Sequence, residues 1–528
     1  MPGATKRAKF DRRPTQSIPG DGGGAPTRAR IFLWLATAFV SGFVVMSLEL
    51  AAFRLYAPYF GYSIFVWGSL IGVVMAALAV GYAAGGRLAD RSTTDRPLYI
   101  LILCSAVYQA LVALTARDLL TALAPQGELI GPAAATLIVF ALPMAALAAT
   151  GPFIVRLIAR SGRIGAAAGR VSAVCTVGSI AGVMITSFLI VPRLGTQATL
   201  LGNCAACALL GIAGIGIKRP AAMLALAALA LLPLAPRSPW PSPPPGQQII
   251  WTDESPYNLV RVIRSDNQIM LLLNDQTGAQ TIKNKTGPWT GSYYDDFALA
   301  PLLVSAHRAL VLGMGGGGSI ATTLAAAPDC AIDAVEIDAK VIDAADRFFA
   351  VHPRPGRLDI DLADARPWLA SHGGLYDIIH VDLYHGGPYV PFYLTTVEFY
   401  RLVRAHLSDE GVLVINVFDA GHEHEILHST AATLKQVFPT LMVLEHGFGT
   451  YVIFAFGRQR DLSWLQSRLS AGANSGPLNT LARHAAATIT PLDFPPQTPL
   501  FTDDYAPIEA MTRRMLIEVR RGVGANSY

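Results

Sequence analysis

Long apolar segments recur through the first 236 residues of this chain and limit its fold more than any other feature. Six long segments are followed by one short segment, at residues 31–53, 64–86, 98–116, 130–155, 166–192, 195–217 and 221–235. Each long segment is near the length that a helix needs to cross a bilayer, whereas the last is too short to decide by length. Across the whole chain, apolar residues reach 52% and charged residues only 15%. We therefore expect a multi-pass helical membrane domain of about seven spans over residues 31–235.

Lys and Arg in the loops predict the orientation of these spans. Basic residues concentrate in the tail, residues 1–30, and in the second, fourth and sixth loops. Because cytoplasmic loops carry an excess of such residues, the N-terminus is expected in the cytoplasm of a bacterial-type inner membrane. If 221–235 crosses the lipid bilayer, the following domain lies outside the cytoplasm; if it does not, the domain lies inside. The span count favours the outside, whereas the ligand site predicted below for that domain favours the cytoplasmic face, which we expect.

Two features within the spans carry further expectations. Glu49 and Arg54 stand at the end of the first span, where an ionisable group is functional by default. The alternative is that they pair with each other or reach the interface. The small-residue pairs, Gly81 with Gly85 and Gly178 with Gly182, predict close helix packing.

The rest of the chain has the composition of several smaller units. The tail 1–30 is basic and predicted to be disordered. A Pro-rich linker is predicted over 236–250, a β-hairpin unit over 251–300 and a C-terminal helical extension over 461–528. Basic residues cluster in membrane-flanking loops and form no stripe, which argues against nucleic-acid binding.

Strands and helices alternate over residues 301–460. The predicted strands are 308–312, 331–336, 358–362, 376–381, 411–417 and 451–456. This alternation predicts an α/β Rossmann-like domain with a doubly wound sheet. In such sheets ligands bind at the carboxyl ends of the strands.

Candidate site residues follow four successive strands of this predicted sheet. After the first strand comes the glycine run 313–318, in which Gly313, Gly315 and Gly317 would let a ligand touch the backbone at a helix N-terminus. Glu336, Asp364 and Asp382 follow the next three strands. An acidic side chain about 20 residues after such a glycine run can hold a ribose. Each carboxylate alone could be a helix N-cap or a solvated loop residue, but together they predict a nucleoside site.

At these residues the chain resembles the spermidine synthase (aminopropyltransferase) family over about 251–456. The matching pieces are Glu254-Ser255-Pro256-Tyr257, Leu273-Asn274, Gln280, Tyr293, the glycine run, Val335-Glu336-Ile337-Asp338, Asp364, Asp382 and Val397-Glu398-Phe399-Tyr400. The first half resembles the amino-terminal part of membrane-fused members, as in Leu48-Glu49-Leu50 and Gly85-Gly86-Arg87-Leu88-Ala89-Asp90-Arg91.

The resemblance implies a reaction and a role for each residue. The donor would be decarboxylated S-adenosylmethionine, an amine would attack its aminopropyl carbon, methylthioadenosine would leave, and no metal would be needed. Asp382 would be the base, with Tyr293 and Gln280 at the reacting end. Glu336 would hold the ribose and Asp364 the adenine. A homodimer is expected by resemblance alone.

The sequence departs from that family where the amines bind. Gly316 stands where the family usually has an aspartate that holds the donor's amine, and Tyr294 and Asp295 replace a His-Glu pair. His385 stands where a second carboxylate would recognise a diamine. We assign Tyr294, Asp295 and His385 to the acceptor side.

Three functions therefore stay open. The first is an aminopropyltransferase with a changed acceptor. The second is another enzyme that uses S-adenosylmethionine itself, to transfer a methyl group or to cleave or cyclise the donor. The third is a transporter or sensor that binds a nucleoside or polyamine.

Overall fold

The computed structural model describes residues 26–61, 63–159, 164–216, 240–274, 278–471 and 476–525. The predicted short span 221–235 lies outside these residues, as do most of the basic tail 1–30 and the first part of the Pro-rich linker.

The N-terminal half is helical throughout its described residues. Its helices are α1 Arg28–Phe60, α2 Ile64–Arg91, α3 Arg96–Leu123, α4 Gly127–Val139, α5 Ala141–Ala148, α6 Thr150–Ile158, α7 Ile164–Ile185 and α8 Val191–Ile215, with a π-helical turn at Thr186–Ile190. Within the described part of the chain, five continuous helical segments are long and apolar enough to cross a membrane. The 52-residue segment Ile164–Ile215 counts once among them.

The predicted span 130–155 is divided into pieces by proline. Helices α4 and α5 end at Val139 and Ala148, four residues before Pro143 and Pro152. A proline has no N–H to donate to the carbonyl four residues earlier, so the regular hydrogen-bond ladder stops at both positions.

The segment Ile164–Ile215 reverses direction at Gly195, whose φ of 80° and ψ of 174° are not helical. Before this turn α7 runs beside α1 in the same direction, since Ser47 bonds Thr186. After the turn α8 returns along α1, since Arg30 bonds the Gly214 carbonyl. The segment therefore passes along the bundle twice, as the two predicted spans 166–192 and 195–217 require.

The predicted close packing of the small-residue pairs is confirmed. A Cβ at Gly178 or Gly182 would collide with the α1 backbone at Phe39 and Phe43. A Cβ at Gly85 would lie 2.5 Å from the Ala149 Cα. These helices approach backbone to backbone, which only glycine permits here.

Glu49 and Arg54 of α1 have different surroundings. The helix continues to Phe60, so both lie inside it and not at its end. Arg54 donates to the carbonyl oxygens of Ser255 and Pro256, at 3.0 Å for Pro256. Glu49 is only 8% exposed within the bundle. Arg54 therefore joins α1 to the second half of the chain.

A small antiparallel sheet opens the second half. Its strands are β1 Gln248–Glu254, β2 Leu259–Arg264, β3 Gln268–Leu273 and β4 Thr281–Asn284, in that order. The hairpin predicted here is β2 with β3. β1 starts inside the predicted linker, and β1 and β4 were both missed. The Glu254 carboxylate at the end of β1 accepts from the Thr196 N–H at 3.0 Å, a second link to the helical half.

Within the described residues, eight further strands form one sheet. They are β5 Arg308–Leu312, β6 Ala331–Glu336, β7 Leu358–Leu362, β8 Tyr376–Val381, β9 Leu407–Phe418, β10 Thr440–Gly447, β11 Thr450–Phe456 and β12 Thr490–Pro491. The spatial order is β12-β10-β11-β9-β8-β5-β6-β7. Strands β5 to β9 are mutually parallel, and the pairings β9 with β11, β11 with β10 and β10 with β12 are antiparallel. The predicted Rossmann-like α/β fold is confirmed.

Helices cover both faces of this sheet. They are α9 Ala300–Leu303, α10 Gly318–Ala326, α11 Ala339–Phe349, α12 Ala365–Ser371, α13 Val397–Ala405, α14 Glu425–Lys435, α15 Leu462–Ala471, α16 Gly476–Thr488 and α17 Ile508–Ala525. Strand β12 lies between α16 and α17, so the predicted helical extension also adds an edge strand. β10, missed in the sequence, is amphipathic and precedes a Gly-Phe-Gly turn at residues 447–449.

Candidate active site

The strand order places the candidate site where the parallel sheet changes winding direction. Strand β5 is flanked by β6 on one side and by β8 on the other. The chain leaves β5 at Gly313 and leaves β8 at Asp382, so two loops diverge from adjacent strand ends. In open α/β sheets the crevice at such a point is the usual ligand site.

The glycine turn after β5 is tightly constrained. Gly313 has a φ of +81°, and a Cβ there would collide with the Asp382 carbonyl oxygen. Gly315 has a φ of +50° and donates its N–H to Glu336 Oε2 at 3.2 Å. Gly317 also has a positive φ, but a Cβ there would strike Val351. Gly313 and Gly315 thus border the crevice, whereas Gly317 serves close packing beneath the turn.

Glu336 ends β6 and is 8% exposed. Its two oxygens accept from the N–H groups of Gly315 and Asp338, both at 3.2 Å. Burial, with the neighbouring Asp338 charge, raises the pKa of Glu336 to about 7. Hydroxyl donors from a ribose would satisfy the remaining lone pairs and stabilise the carboxylate.

Asp364 caps a helix and also lines the candidate cavity. Its Oδ1 accepts from the Arg366 N–H at 3.0 Å, so it is the N-cap of α12. Its Oδ2 accepts from the Tyr393 hydroxyl at 2.8 Å. Asp364 also lines the same cavity as Glu336.

Asp382 is held by hydrogen bonds to both carboxylate oxygens. The Tyr293 hydroxyl donates to Oδ2 at 2.8 Å, and Asn416 Nδ2 donates to Oδ1 at 3.0 Å. Burial raises the pKa of Asp382 to about 6, and the two hydrogen bonds oppose that rise. A carboxylate with a pKa near 6 is ionised at neutral pH and can still take a proton from a reacting group.

Two cavities meet beside Asp382. The first has a volume of about 370 Å³ and is lined by the glycine turn, Glu336, Asp364 and Asp382. The second has a volume of about 540 Å³ and is lined by Tyr293 and Asn416, the two donors to Asp382. Gln280, Tyr384 and Tyr389 line both cavities. The predicted catalytic pair therefore lies between a nucleoside-sized space and a second space.

Of the three residues assigned to the acceptor side, the structure brings Tyr294 and His385 to one cavity and leaves Asp295 outside it. The Tyr294 hydroxyl donates to the Ile282 carbonyl at 2.9 Å, which ties it to β4. The Asp295 carboxylate accepts from the N–H groups of Thr290 and Gly291, which closes a turn away from both cavities. His385 and Tyr294 both line the first cavity, whereas Asp295 does not; burial lowers the pKa of the His385 imidazole.

Gly316 does not leave open space in the turn. Its N–H donates to Thr281 Oγ1 at 2.9 Å. A Cβ at this position would lie 2.9 Å from the Thr281 Cβ and 3.2 Å from the Phe349 ring. Thr281 and Phe349 therefore take the volume that a side chain at position 316 would need.

Sequence reasoning missed Asn416, Tyr384 and Tyr393. Asn416 lies at the carboxyl end of β9, next to β8. Ligands bind at the carboxyl ends of parallel strands, so an inspection of the end of this fifth strand would have found Asn416. The Tyr384 hydroxyl accepts from the Phe418 N–H at 2.9 Å. Tyr393 comes from a loop with no strand or glycine signal, and only the tertiary structure brings it to Asp364.

Comparison with known proteins agrees with this geometry. The family model described as "Spermine/spermidine synthase domain" matches residues 293–452. Residues 293–452 are a spermine/spermidine synthase domain. This synthase domain contains the glycine turn, Glu336, Asp364, Asp382 and the catalytic candidate Tyr293.

Curated relatives match the same half of the chain. A probable polyamine aminopropyl transferase of Bifidobacterium longum is 35% identical over 170 residues, 32% of this chain and 37% of the relative. A polyamine aminopropyltransferase of Vibrio vulnificus is 28% identical over 40% of this chain and 73% of the relative. The human eEF1A lysine and N-terminal methyltransferase is 31% identical over 25% of this chain and 20% of that protein. The chain thus spans about a third of the first relative's length.

Proposed function

We propose that this protein transfers an aminopropyl group from decarboxylated S-adenosylmethionine to an amine and releases methylthioadenosine. The observation that carries the proposal is the position of Asp382 between two cavities, with its oxygens held by Tyr293 and Asn416. The match to the synthase family and the names of the bacterial relatives support the same reaction.

The residues of the first cavity suit the nucleoside part of the donor. The adenosine would lie over the backbone of Gly313 and Gly315, because glycine permits close approach at a helix N-terminus. The ribose hydroxyls would donate to Glu336, and the adenine amino group would donate to Asp364. These contacts position the sulfonium carbon toward Asp382, and positioning is a large part of catalysis for a reaction of this type.

The chemical step needs one base. The acceptor nitrogen attacks the aminopropyl carbon next to sulfur, the carbon–sulfur bond breaks, and its electron pair stays on sulfur. The attacking nitrogen gives up a proton to Asp382. Tyr293 and Asn416 orient the carboxylate and stabilise its ionised form until the proton arrives.

A second candidate is a reaction of S-adenosylmethionine itself, by methyl transfer or by cleavage or cyclisation of the donor. It is favoured by the 31% identity to a human methyltransferase over part of the domain. Both candidates use the same nucleoside cavity, so they differ in donor and product.

The cellular location is part of the same proposal. We propose that the helical half spans a bacterial-type inner membrane, which five long apolar segments support. The half of the chain that carries the synthase domain contacts the end of α1 opposite the N-terminus, through Arg54 and, at the start of α8, through Thr196. A cytoplasmic N-terminus, which the basic loops predict, and a cytoplasmic synthase domain, which a cytosolic donor predicts, therefore exclude each other. Cleavage of the synthase domain by protease in inverted membrane vesicles would support the donor argument, and cleavage only in right-side-out vesicles would support the basic loops.

Calorimetry and product analysis test the reaction. The purified full-length protein is titrated with decarboxylated S-adenosylmethionine, S-adenosylmethionine and methylthioadenosine, and the same samples are analysed by mass spectrometry after addition of amines. We expect the decarboxylated donor to bind and to yield methylthioadenosine with an aminopropylated amine. Asp382→Asn should keep nucleoside binding and lose turnover. Tight binding of intact S-adenosylmethionine with methylated, cleaved or cyclised product would favour the second candidate.

A further inference from the structure

The second cavity is formed jointly by the two halves of the chain. Tyr59, Phe60 and Gly61, at the end of α1, line one side of it. Leu516 and Val519 of the C-terminal helix α17 line another side. Its inner end reaches Tyr293 and Asn416, which bond the Asp382 carboxylate. A molecule in this cavity would therefore contact the last turn of a long apolar helix while its end faces the proposed base.

The wall of this cavity is largely apolar, with polar groups from Gln280, Ser292, Asn416, Thr450 and the tyrosine hydroxyls. Among the described residues that line it there is no Asp, Glu, Lys or Arg. Aromatic and aliphatic side chains predominate, namely Tyr59, Phe60, Ile282, Tyr293, Tyr384, Tyr389, Phe418, Phe448, Leu516 and Val519. Phe448, at the rim, is 76% exposed. Such a wall suits a hydrocarbon body.

A diamine does not suit this wall. An acceptor with a second ammonium group would have to bury that charge beside aromatic and aliphatic side chains. Burying an unpaired charge is strongly unfavourable, and each methylene that leaves water is favourable. The cavity thus selects against the far charge of a polyamine and in favour of an alkyl or aryl group at the same place.

We propose that the acceptor is a primary monoamine on an apolar body, bound in the cavity between the end of α1 and α17. This inference rests on the aminopropyl transfer proposed above. The amine end points to Asp382, and the apolar body lies against Phe60 and Leu516. The nitrogen forms its bond to the aminopropyl carbon, methylthioadenosine leaves with the sulfur electron pair, and one proton passes to Asp382.

Two sources can supply this chemistry. One is a free alkyl or arylalkyl amine, and the other is the amino headgroup of a membrane lipid. Both present a primary amine joined to an apolar body, and both can reach a cavity that borders the end of an apolar helix. The experiment separates them.

The central comparison is butylamine with putrescine, which share a four-carbon chain and differ in one terminal amine. Full-length protein in detergent is given decarboxylated S-adenosylmethionine, and both methylthioadenosine and aminopropylated product are measured. We expect kcat/KM for butylamine to exceed that for putrescine. Along the alkylamine series up to octylamine, kcat/KM should rise about fourfold per methylene until the cavity is filled.

One variant and one matched control test whether this cavity wall sets the preference for butylamine over putrescine. Leu516→Asp places a carboxylate in the cavity wall and should shift the ratio of kcat/KM toward putrescine by about tenfold or more. Ile517→Asp changes the next residue of the same helix, which is 37% exposed and outside the cavity, and should leave the ratio unchanged. If Leu516→Asp lowers the melting temperature strongly, Val519→Asp provides a second test on the same wall.

Vesicles identify the source of the amine. The protein is reconstituted in phosphatidylcholine vesicles with or without phosphatidylethanolamine, and the lipid fraction is analysed for an aminopropyl adduct. An adduct that depends on phosphatidylethanolamine identifies a lipid acceptor. Product with octylamine alone identifies a free amine.

The outcomes separate this inference from the reaction on which it rests. Methylthioadenosine release with putrescine preferred to butylamine would keep the aminopropyl transfer and overturn the apolar acceptor. No methylthioadenosine with any amine, although the donor binds, would overturn the proposed reaction and this inference together.

Discussion

The Tyr293 hydroxyl donates a 2.8 Å hydrogen bond to Asp382 Oδ2 across 89 positions of sequence. This bond and the one from Asn416 stabilise the ionised carboxylate, while burial favours the neutral acid. The balance leaves the pKa of Asp382 at about 6. Asp382 lines the first cavity, and its two hydrogen-bond donors line the second. The proposed reaction takes place between them, so its rate should depend on whether Asp382 is ionised.

The rate should follow the ionisation of Asp382. A base must be unprotonated to accept a proton, so kcat at saturating donor and at a constant concentration of the neutral amine should be level above about pH 6 and fall about tenfold per pH unit below it. The measurement is methylthioadenosine release against pH, with donor binding checked at each pH. Asp382→Asn should lower kcat by about 10² to 10⁴ and lose this acid limb. A limb that persists unchanged in Asp382→Asn would assign the base to another group.

Tyr293→Phe should move the acid limb to higher pH. The variant removes a hydrogen bond that lowers the pKa of Asp382, so the carboxylate becomes harder to ionise. Tyr294→Phe is the matched control because the Tyr294 hydroxyl bonds the Ile282 backbone and not Asp382. That control should lower stability by about 1–3 kcal/mol and leave the limb in place. If Tyr293→Phe and Tyr294→Phe moved the acid limb equally, the shift would come from a general change in the fold and not from the hydrogen bond between Tyr293 and Asp382.

Glu336→Gln should weaken nucleoside binding by about 10- to 100-fold, since hydrogen bonds to a charged acceptor contribute about 1.5–3 kcal/mol. Titration calorimetry with methylthioadenosine measures this loss. Asp359→Asn, an exposed carboxylate on the neighbouring strand β7 and outside the cavity, should bind like the parent protein. Equal affinity of Glu336→Gln and parent would remove Glu336 from the ribose site.

The same residue predicts a pH dependence of stability without ligand. Its pKa rises from 4.5 to about 7 on folding, so the folded state holds the proton more tightly than the unfolded state. The stabilisation is full below about pH 4.5 and is lost as pH rises through 7. Glu336→Gln should therefore show a smaller decline in melting temperature between pH 5 and pH 8. A parallel decline in parent and variant would contradict burial of an ionisable Glu336.

Gly313→Ala should destabilise the turn more than backbone strain alone explains. Gly313 and Gly356 have φ values of +81° and +73°, but a Cβ strikes the Asp382 carbonyl only at 313, and nothing lies within 4 Å at 356. Gly356→Ala should cost about 1–2 kcal/mol for the left-handed backbone. Gly313→Ala should cost about 1–3 kcal/mol more. Denaturant unfolding measures the free energy of unfolding of both variants. Equal losses of stability would mean that the backbone shifts enough to avoid the collision of the added Cβ at position 313 with the Asp382 carbonyl.

Much of the parallel sheet could be predicted because its signals are local. Strands β5 to β8 were predicted with the observed bounds, since short apolar runs end at glycine or carboxylate residues. β4 and β12 were missed because they are only four and two residues long, and β1 because it begins inside the segment predicted as a linker. β10 was missed although it pairs with β11, the next strand in the chain. Hydropathy predicted the two spans that form α7 and α8. It did not predict the helix breaks before Pro143 and Pro152, which arise because proline has no N–H to donate.

Local sequence patterns were enough to predict the apolar helical half, the Rossmann-like half and the strand-end positions of Gly313, Glu336, Asp364 and Asp382. Which side chains meet at those strand ends depends on the tertiary structure. Asn416 and Tyr293 reach Asp382 because sheet order brings β9 beside β8 and packs the 293–299 turn against them. Phe60 reaches the second cavity because Arg54 and Glu254 hold the two halves together. Such contacts depend on packing between distant segments, which local periodicity does not encode.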